Sequence, residues 1–248
     1  MFNFNQNQNN ENSFVNSNTG DIAVPRTFIT NVFSWMAVAL GITAFFAYYF
    51  STSEAFISSL ITVTSTGASM SPLGWLVMLA PLGFVLIMSF GFNKFSAGTL
   101  TLLFIAYSFL MGMSLSFIFI IYTGTSIATT FAVSAGTFAI MAIAGYTTNV
   151  DLSKFGAIMV MGLVGIIIAS LVNMFMRSQT MDYVISIIGV LVFTGLTAWD
   201  VQKLKRIGSQ IDMSSEPARK YVIMGALTLY LDFINLFLFL LRFLGNRK

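Results

Sequence analysis

The sequence predicts an all-α polytopic membrane protein with seven transmembrane helices, and two observations lead there. Of its 248 residues, 56% are hydrophobic and only 8% are charged, against roughly 25% charged in soluble domains. The charges also punctuate the chain instead of covering one face of it. Phe28 to Phe50 run for 23 residues without a charge, and Phe95 to Val150 run for 56. One helical crossing needs about 20 apolar residues, so these runs hold one and two crossings. Cysteine and histidine are absent, which excludes disulfides, thiolate nucleophiles, His-liganded zinc and Ser-His-Asp catalysis. Proton chemistry therefore falls to carboxylates. The +3 net charge comes from scattered basic residues between apolar runs, a pattern of membrane topology and not of nucleic-acid binding.

The elements follow in order. Residues 1–24 form an Asn-rich tail: eight Asn and two Gln fall in the first 20 positions, too polar to bury a core, so the tail is expected to be disordered. It has no basic start or apolar middle of a signal peptide. The membrane domain spans residues 25–248. Pro25 suits a first helical turn, and span 1 is Phe28 to Phe50. Between Ser51 and Ser71, 11 of 21 residues are Ser or Thr, which predicts a polar loop with a short interfacial turn at Phe56 to Val63. Span 2 runs from Pro72 to about Phe92, with Pro81 as an internal kink that neighbouring helices can satisfy. The turn-like Thr123-Gly124-Thr125-Ser126 divides spans 3 and 4. Span 5 is Phe155 to Met176, and span 6 is about Tyr183 to Val201. Span 7 starts near Pro217, with Ser214 and Ser215 as candidate caps, and ends near Leu241.

Orientation follows from the 12 basic residues. Arg26, Lys94, Lys154, Lys203, Lys205, Arg206, Arg219 and Lys220 share the side of the N-terminus. Arg177, Arg242, Arg247 and Lys248 lie on the other. Eight against four places the N-terminus in the cytoplasm by the positive-inside rule. Were span 7 to dip into the bilayer and return, its trailing basic cluster would rejoin the cytoplasmic side.

Two acidic residues stand where a charge is costly. Asp200 lies in the cytoplasmic last turns of span 6, and Asp232 has 11 uncharged residues before it and nine after it. A charge at such depth costs on the order of 3 kcal/mol. Gly225, Thr228, Asp232 and Asn235 recur at steps of three and four, forming one stripe of small and polar groups on span 7. Thr197 and Lys203 flank Asp200 by one turn each. Ser108, Gly112 and Ser116 of span 3 offer a further candidate wall. Two readings stay open. Both acids can be protonated and act as interhelical glue; or they meet in a dry site, cannot both ionise easily and hold a proton between them. Ionised, the pair would offer hard oxygen ligands suited to Ca²⁺. The Gly, Ala, Ser and Thr residues elsewhere suit close helix packing, and no cofactor motif is present.

FTGLTAWDVQKLK, from Phe193 to Lys205, and ALTLYLDFINLFLFLLR, from Ala226 to Arg242, resemble the Bax inhibitor-1 family, the transmembrane Bax inhibitor motif proteins. AYSFLMGMSLSFIFIIY, from Ala106 to Tyr122, looks like that family's third span. The resemblance implies a bundle with helix 7 central and six helices wrapped around it, conducting a pH-sensitive Ca²⁺ leak. It also implies that the pH-sensing aspartates, one in the helix 6 motif and one in the helix 7 motif, fall on Asp200 and Asp232. By their spacing, Thr197, Thr228 and Asn235 are the candidate supporting groups. The basic latch of bacterial relatives, near the cytoplasmic end of span 2, has only Lys94 to fall on. The helix 6 motif usually carries Tyr before its Asp, and this chain has Trp199.

The expected function is a calcium leak channel gated by a paired-aspartate proton switch, with Ca²⁺ as the transported ion, no cofactor and no enzymatic activity. The expected surroundings are the lipid bilayer of a bacterial plasma membrane. The alternative is a non-conducting regulatory protein that binds a membrane protease or a cell-death or stress partner. An intramembrane aspartyl protease would also place aspartates on two successive spans. It would need the glycines of a GxGD motif, and Asp232 follows Leu229-Tyr230-Leu231 instead.

Overall fold

A computed structural model describes residues 20–64 and 67–248. The first 19 residues of the expected tail lie outside the described residues. The elements in order are α1 (Gly20–Ser51), α2 (Glu54–Leu60), β1 (Ile61–Thr64), β2 (Gly67–Met70), α3 (Pro72–Gly91), α4 (Ala97–Leu115), α5 (Ile118–Ile121), α6 (Gly124–Thr147), α7 (Ser153–Met176), α8 (Gln179–Gly208) and α9 (Glu216–Leu244). Seven of them, counting α4 with α5 as one, are long and apolar enough to cross a membrane. The chain is an all-α membrane protein with the seven spans expected, the one addition being a two-stranded hairpin.

The hairpin lies in the Ser/Thr-rich loop. A short interfacial turn was expected there from Phe56 to Val63, but α2 covers Glu54–Leu60 and Ile61 pairs with Met70, continuing to Thr64 with Gly67 in antiparallel register. The run Ile-Thr-Val-Thr is β-branched at every position, and such residues lose side-chain freedom in a helix and fit a pleated strand.

Side-chain caps fix the helix starts. Ser53, Ser71, Ser96, Thr123, Ser178 and Ser215 each accept a hydrogen bond from a backbone N–H in the first turn of α2, α3, α4, α6, α8 and α9, replacing a partner that the helix cannot supply itself. Of the two serines expected to start span 7, Ser215 is the cap. Ser214 instead hydrogen-bonds the Asp212 carboxylate.

Helix α8 is longer than span 6 was expected to be, by four residues at its start and seven at its end. The apolar run measures the thickness of the bilayer, whereas charged residues such as Lys203, Lys205 and Arg206 continue the helix beyond it. Helix α9 is unbroken over 29 residues, about 43 Å at 1.5 Å per residue, so span 7 is one continuous helix long enough to cross and contains no turn back. Its far end lies beside the α5–α6 turn, where Tyr122 and Arg247 form a β-bridge and Thr123 N–H donates to the Asn246 carbonyl.

Helix α9 is the axis of the bundle. It packs on α8, α1, α6 and α4, while α3 rests chiefly on α4 and α7 on α8. The wrapping thus has two shells: four spans touch the centre, and spans 2 and 5 sit outside. Burial follows this arrangement, highest in α8 and α9 and lowest in α7. The exposed apolar side chains of the outer helices, among them Phe90 of α3 and Ile168 of α7, face the acyl chains in a membrane.

Candidate ion site between spans 6 and 7

Antiparallel packing of α8 on α9 determines what can meet. Gly225 of α9 lies under the Leu204 side chain and Gly189 of α8 under the Phe239 ring, so the two axes come close at both ends of the contact. Between these points, Asp200 and Asp232 are brought together. Both are buried, at 7% and 5% relative exposure, and their carboxyls are in hydrogen-bonding contact. One oxygen of Asp232, Oδ2, is fully buried and has no hydrogen-bond partner among the described residues. Asp200 lies about 12 Å along α8 from its Gly208 end at 1.5 Å per residue, so the pair is nearer the side of the N-terminus.

Further glycines hold the other spans against this point. A Cβ on Gly145 of α6 would strike the Ala198 backbone carbonyl, and one on Gly156 of α7 would strike the Trp199 ring. Both contacts are immediately before Asp200 in sequence. Trp199, in place of the tyrosine usual in the family motif, uses its flat face as a packing surface for α7, and the Lys203 ammonium stands 5.1 Å from the ring centroid. Lys203 is also the cation that acts electrostatically on Asp200.

The expected supporting groups are oriented otherwise. Thr197 Oγ1 donates to Phe193 O at 2.8 Å, Thr228 Oγ1 to Met224 O at 3.0 Å and Asn235 Nδ2 to Leu231 O at 2.8 Å. Each thus spends a donor on its own helix, and none of them donates a hydrogen bond to the carboxyl pair. Lys94 is exposed in the turn after α3 and takes no part in the ion pairs among the described residues, which are Arg206–Asp151 and Arg242–Asp182.

The Ser108, Gly112 and Ser116 stripe does not wall the aspartates as expected. Gly112 packs on α1, where an added Cβ would lie 2.8 Å from Phe46 Cβ and 2.9 Å from Thr43 O. The Ser108 carbonyl accepts from Thr43 Oγ1 at 2.9 Å. Since that hydroxyl proton is committed, Tyr230 O–H donates to Thr43 Oγ1 at 2.7 Å. Tyr230 precedes Asp232 by two residues, about 200° around the helix, so the two polar groups leave α9 in opposite directions. The Tyr107 ring packs edge-on against Tyr230, and its hydroxyl is buried without a partner among the described residues. Nothing in the sequence singles out Thr43, Tyr107 or Tyr230. Threonine and tyrosine carry no charge, and nothing in their spacing marks them apart from ordinary membrane packing.

As chemistry, two carboxyls in a dry helix contact can share a proton or present oxygens to a hard cation. No group of three or more acidic, His or Cys side chains able to hold a metal occurs among the described residues. Ca²⁺ takes six to eight oxygens, more than two carboxylates supply.

The comparisons with known proteins agree with this architecture. The family model described as inhibitor of apoptosis-promoting Bax1 matches residues 25–248. The inner membrane protein YbhL of Escherichia coli is 49% identical over 226 residues, covering 90% of this chain and 93% of its own. A protein of Borreliella burgdorferi is 46% identical over 92% of this chain and 95% of its own. A membrane protein of Streptococcus pyogenes is 35% identical over 88% and 92%. An inner-membrane relative and seven spans accord with the bacterial plasma membrane expected from the sequence.

Proposed function

Since the chain belongs to the family of inhibitors of apoptosis-promoting Bax1, we propose that it is a pH-sensitive Ca²⁺ leak in which Asp200 and Asp232 form the proton switch. The observation that carries this reading is the buried carboxyl pair itself, with Asp232 Oδ2 left unpartnered among the described residues. An orphaned acceptor in a dry contact is costly unless a proton or a cation visits it.

With a proton held between the two carboxyls, the contact is neutral enough to stay closed and holds α8 against α9. As the pH rises the proton leaves, two negative charges face each other across the contact, and their repulsion favours separation of the helices. The same charges then attract Ca²⁺, which enters as the transported ion and moves down its gradient. Lys203, near the N-terminal-side entrance, modulates the switch without sealing it. With the N-terminus in the cytoplasm, the pair lies closer to the cytoplasmic face.

The test is Ca²⁺ entry into proteoliposomes loaded with an indicator dye, between about pH 5 and 8, for wild type, Asp200→Asn and Asp232→Asn. A leak that increases with pH in wild type and loses its pH dependence in either variant supports the switch. A wild type no leakier than empty liposomes at every pH would sink the channel reading and leave the non-conducting regulator.

A further inference from the structure

The opposite end of the bundle holds a second polar feature with no place in the switch. At the ends of α7, α8 and α9 away from the N-terminus, a cavity of about 420 Å³ is lined by Asn173, Arg177, Ser178, Asp182 and Arg242, among others. It adjoins another of about 280 Å³ that shares Asp182 and Arg242 and adds Arg247. Sizes of roughly 300–1,000 Å³ are usual for small-ligand sites. Three of the four basic residues on this side of the molecule thus converge on one place.

The cavity carries more positive charge than its own acid offsets. Asp182 Oδ1 accepts from Asn173 Nδ2 at 2.9 Å, and Asn173 Oδ1 accepts from Ser178 N–H at 3.0 Å, so the carboxylate is fixed from the α7 side. Its ion pair with Arg242 is long, at 3.7 Å, and the Arg242 side chain is 40% exposed. Arg177 and Arg247 are in no ion pair among the described residues. Arg177 is also the one non-glycine residue with positive φ, at 51°, among the described residues. It occupies the left-handed position ending α7, where glycine is the usual choice, and such outliers concentrate at ligand sites. The capped first turn of α8 opens on the same cavity, with Ser178 and Gln179 in its wall, and adds the positive end of a 30-residue helix dipole.

The surroundings identify the anion's carrier. Met174 and Tyr183 in the cavity walls are exposed, as are Phe175 and Met176, which follow Met174 at the end of an apolar span, Phe175 at 82%. A free anion has no use for that apolar border, whereas a phospholipid places its phosphate among the guanidiniums and its acyl chains along α7 and α8. We propose that Arg177, Arg242 and Arg247 bind the phosphate of an anionic phospholipid in the leaflet opposite the N-terminal side.

Native mass spectrometry of the full chain in mild detergent tests this, with phosphatidylglycerol and phosphatidylcholine of matched chains and, separately, inorganic phosphate. Wild type is expected to retain phosphatidylglycerol about tenfold better than phosphatidylcholine, and Arg177→Gln or Arg242→Gln to lower that preference about fivefold each. Arg177→Gly separates binding from folding. It relaxes the left-handed backbone, so its melting temperature should hold or rise while the lipid preference falls. Lys154→Gln, at the opposite end, should leave retention unchanged. The proposal is overturned by equal retention of the two lipids, by an equal loss in Lys154→Gln, by an Arg177→Gly variant that keeps the preference, or by full displacement of the lipid with inorganic phosphate, which would mark a site for free anions.

Discussion

Gly145 and Gly165 lie on successive spans, α6 and α7, and the structure gives them opposite tolerances. A Cβ on Gly145 would strike the Ala198 backbone, while Gly165 has nothing within 4 Å. Backbone cannot swing away as a flexible side chain can, so Gly145→Ala must push α6 from α8 beside Asp200. It should cost about 1–3 kcal/mol, the usual penalty of overpacking, whereas Gly165→Ala should stay within about 0.5 kcal/mol. Chemical denaturation in detergent distinguishes the two, and equal stabilities would show that α6 can move off Ala198 at little cost. At the same scale, the Asp151 carboxyl outside the membrane is held down to about 2, first by the Ser153 hydroxyl, then by the Ser153 N–H and by Arg206. These donors favour the ionised form, so their contribution is complete above the ordinary carboxylate value of about 3.9 and is lost as the pH falls towards 2. A carboxyl-carbon NMR titration should find a midpoint near 2, and Ser153→Ala should move it upward more than Arg206→Ala does.

Between elements, the chain Tyr230–Thr43–Ser108 ties the central α9 to α1 and α4 through one hydroxyl. Tyr230→Phe removes one donor and should cost about 1 kcal/mol, while Thr43→Val strands the tyrosine hydroxyl and takes the second donor from the Ser108 carbonyl, which keeps its helical partner, and should cost about 1–3 kcal/mol. The double variant should cost less than the sum; strict additivity in denaturation would mean that the three groups are not one network. This network also shows where sequence reading stops. Asp200 and Asp232 were legible because charge in an apolar run is conspicuous, and the spans were legible because bilayer thickness imposes a length on apolar segments. Which faces of α4 and α9 meet which neighbour was not legible. Small and hydroxyl residues occur on several faces of both helices, and only the three-dimensional docking selects among them. The Ser108–Gly112 stripe therefore turned towards α1, and Thr197, Thr228 and Asn235 turned to their own backbones. The hairpin at Ile61–Met70 was missed for a related reason, because a Ser/Thr-rich composition signals loop more strongly than four β-branched residues signal strand.

For the whole molecule, the decisive geometry is sidedness. The turns that carry Lys94, Asp151 and Asp212 meet at one end, where Glu216 Oε1 accepts from Ala97 N–H at 3.4 Å and Gln202 clasps the 148–152 turn through Val150 O and Leu152 N, both at 2.8 Å. The Tyr122, Arg177 and Arg247 segments meet at the other end. Eight basic residues at the first end and four at the second orient the first end to the cytoplasm under the positive-inside rule. The orientation matters because it sets the entry side of the proposed switch: Asp200 and Asp232 lie nearer the first end, so an ion arriving from outside crosses the apolar part of the bundle before reaching them. The chain has no cysteine, which makes single-cysteine labelling unambiguous. Gln210→Cys, in the exposed turn between α8 and α9, should react with an impermeant maleimide only in inside-out vesicles. Thr52→Cys, exposed after α1, should react only from outside in intact cells. Labelling of both from the same side would break the seven-span alternation. A clean reversal would keep the fold, place the carboxyl pair near the outer face, and put the arginine-lined cavity in the cytoplasmic leaflet.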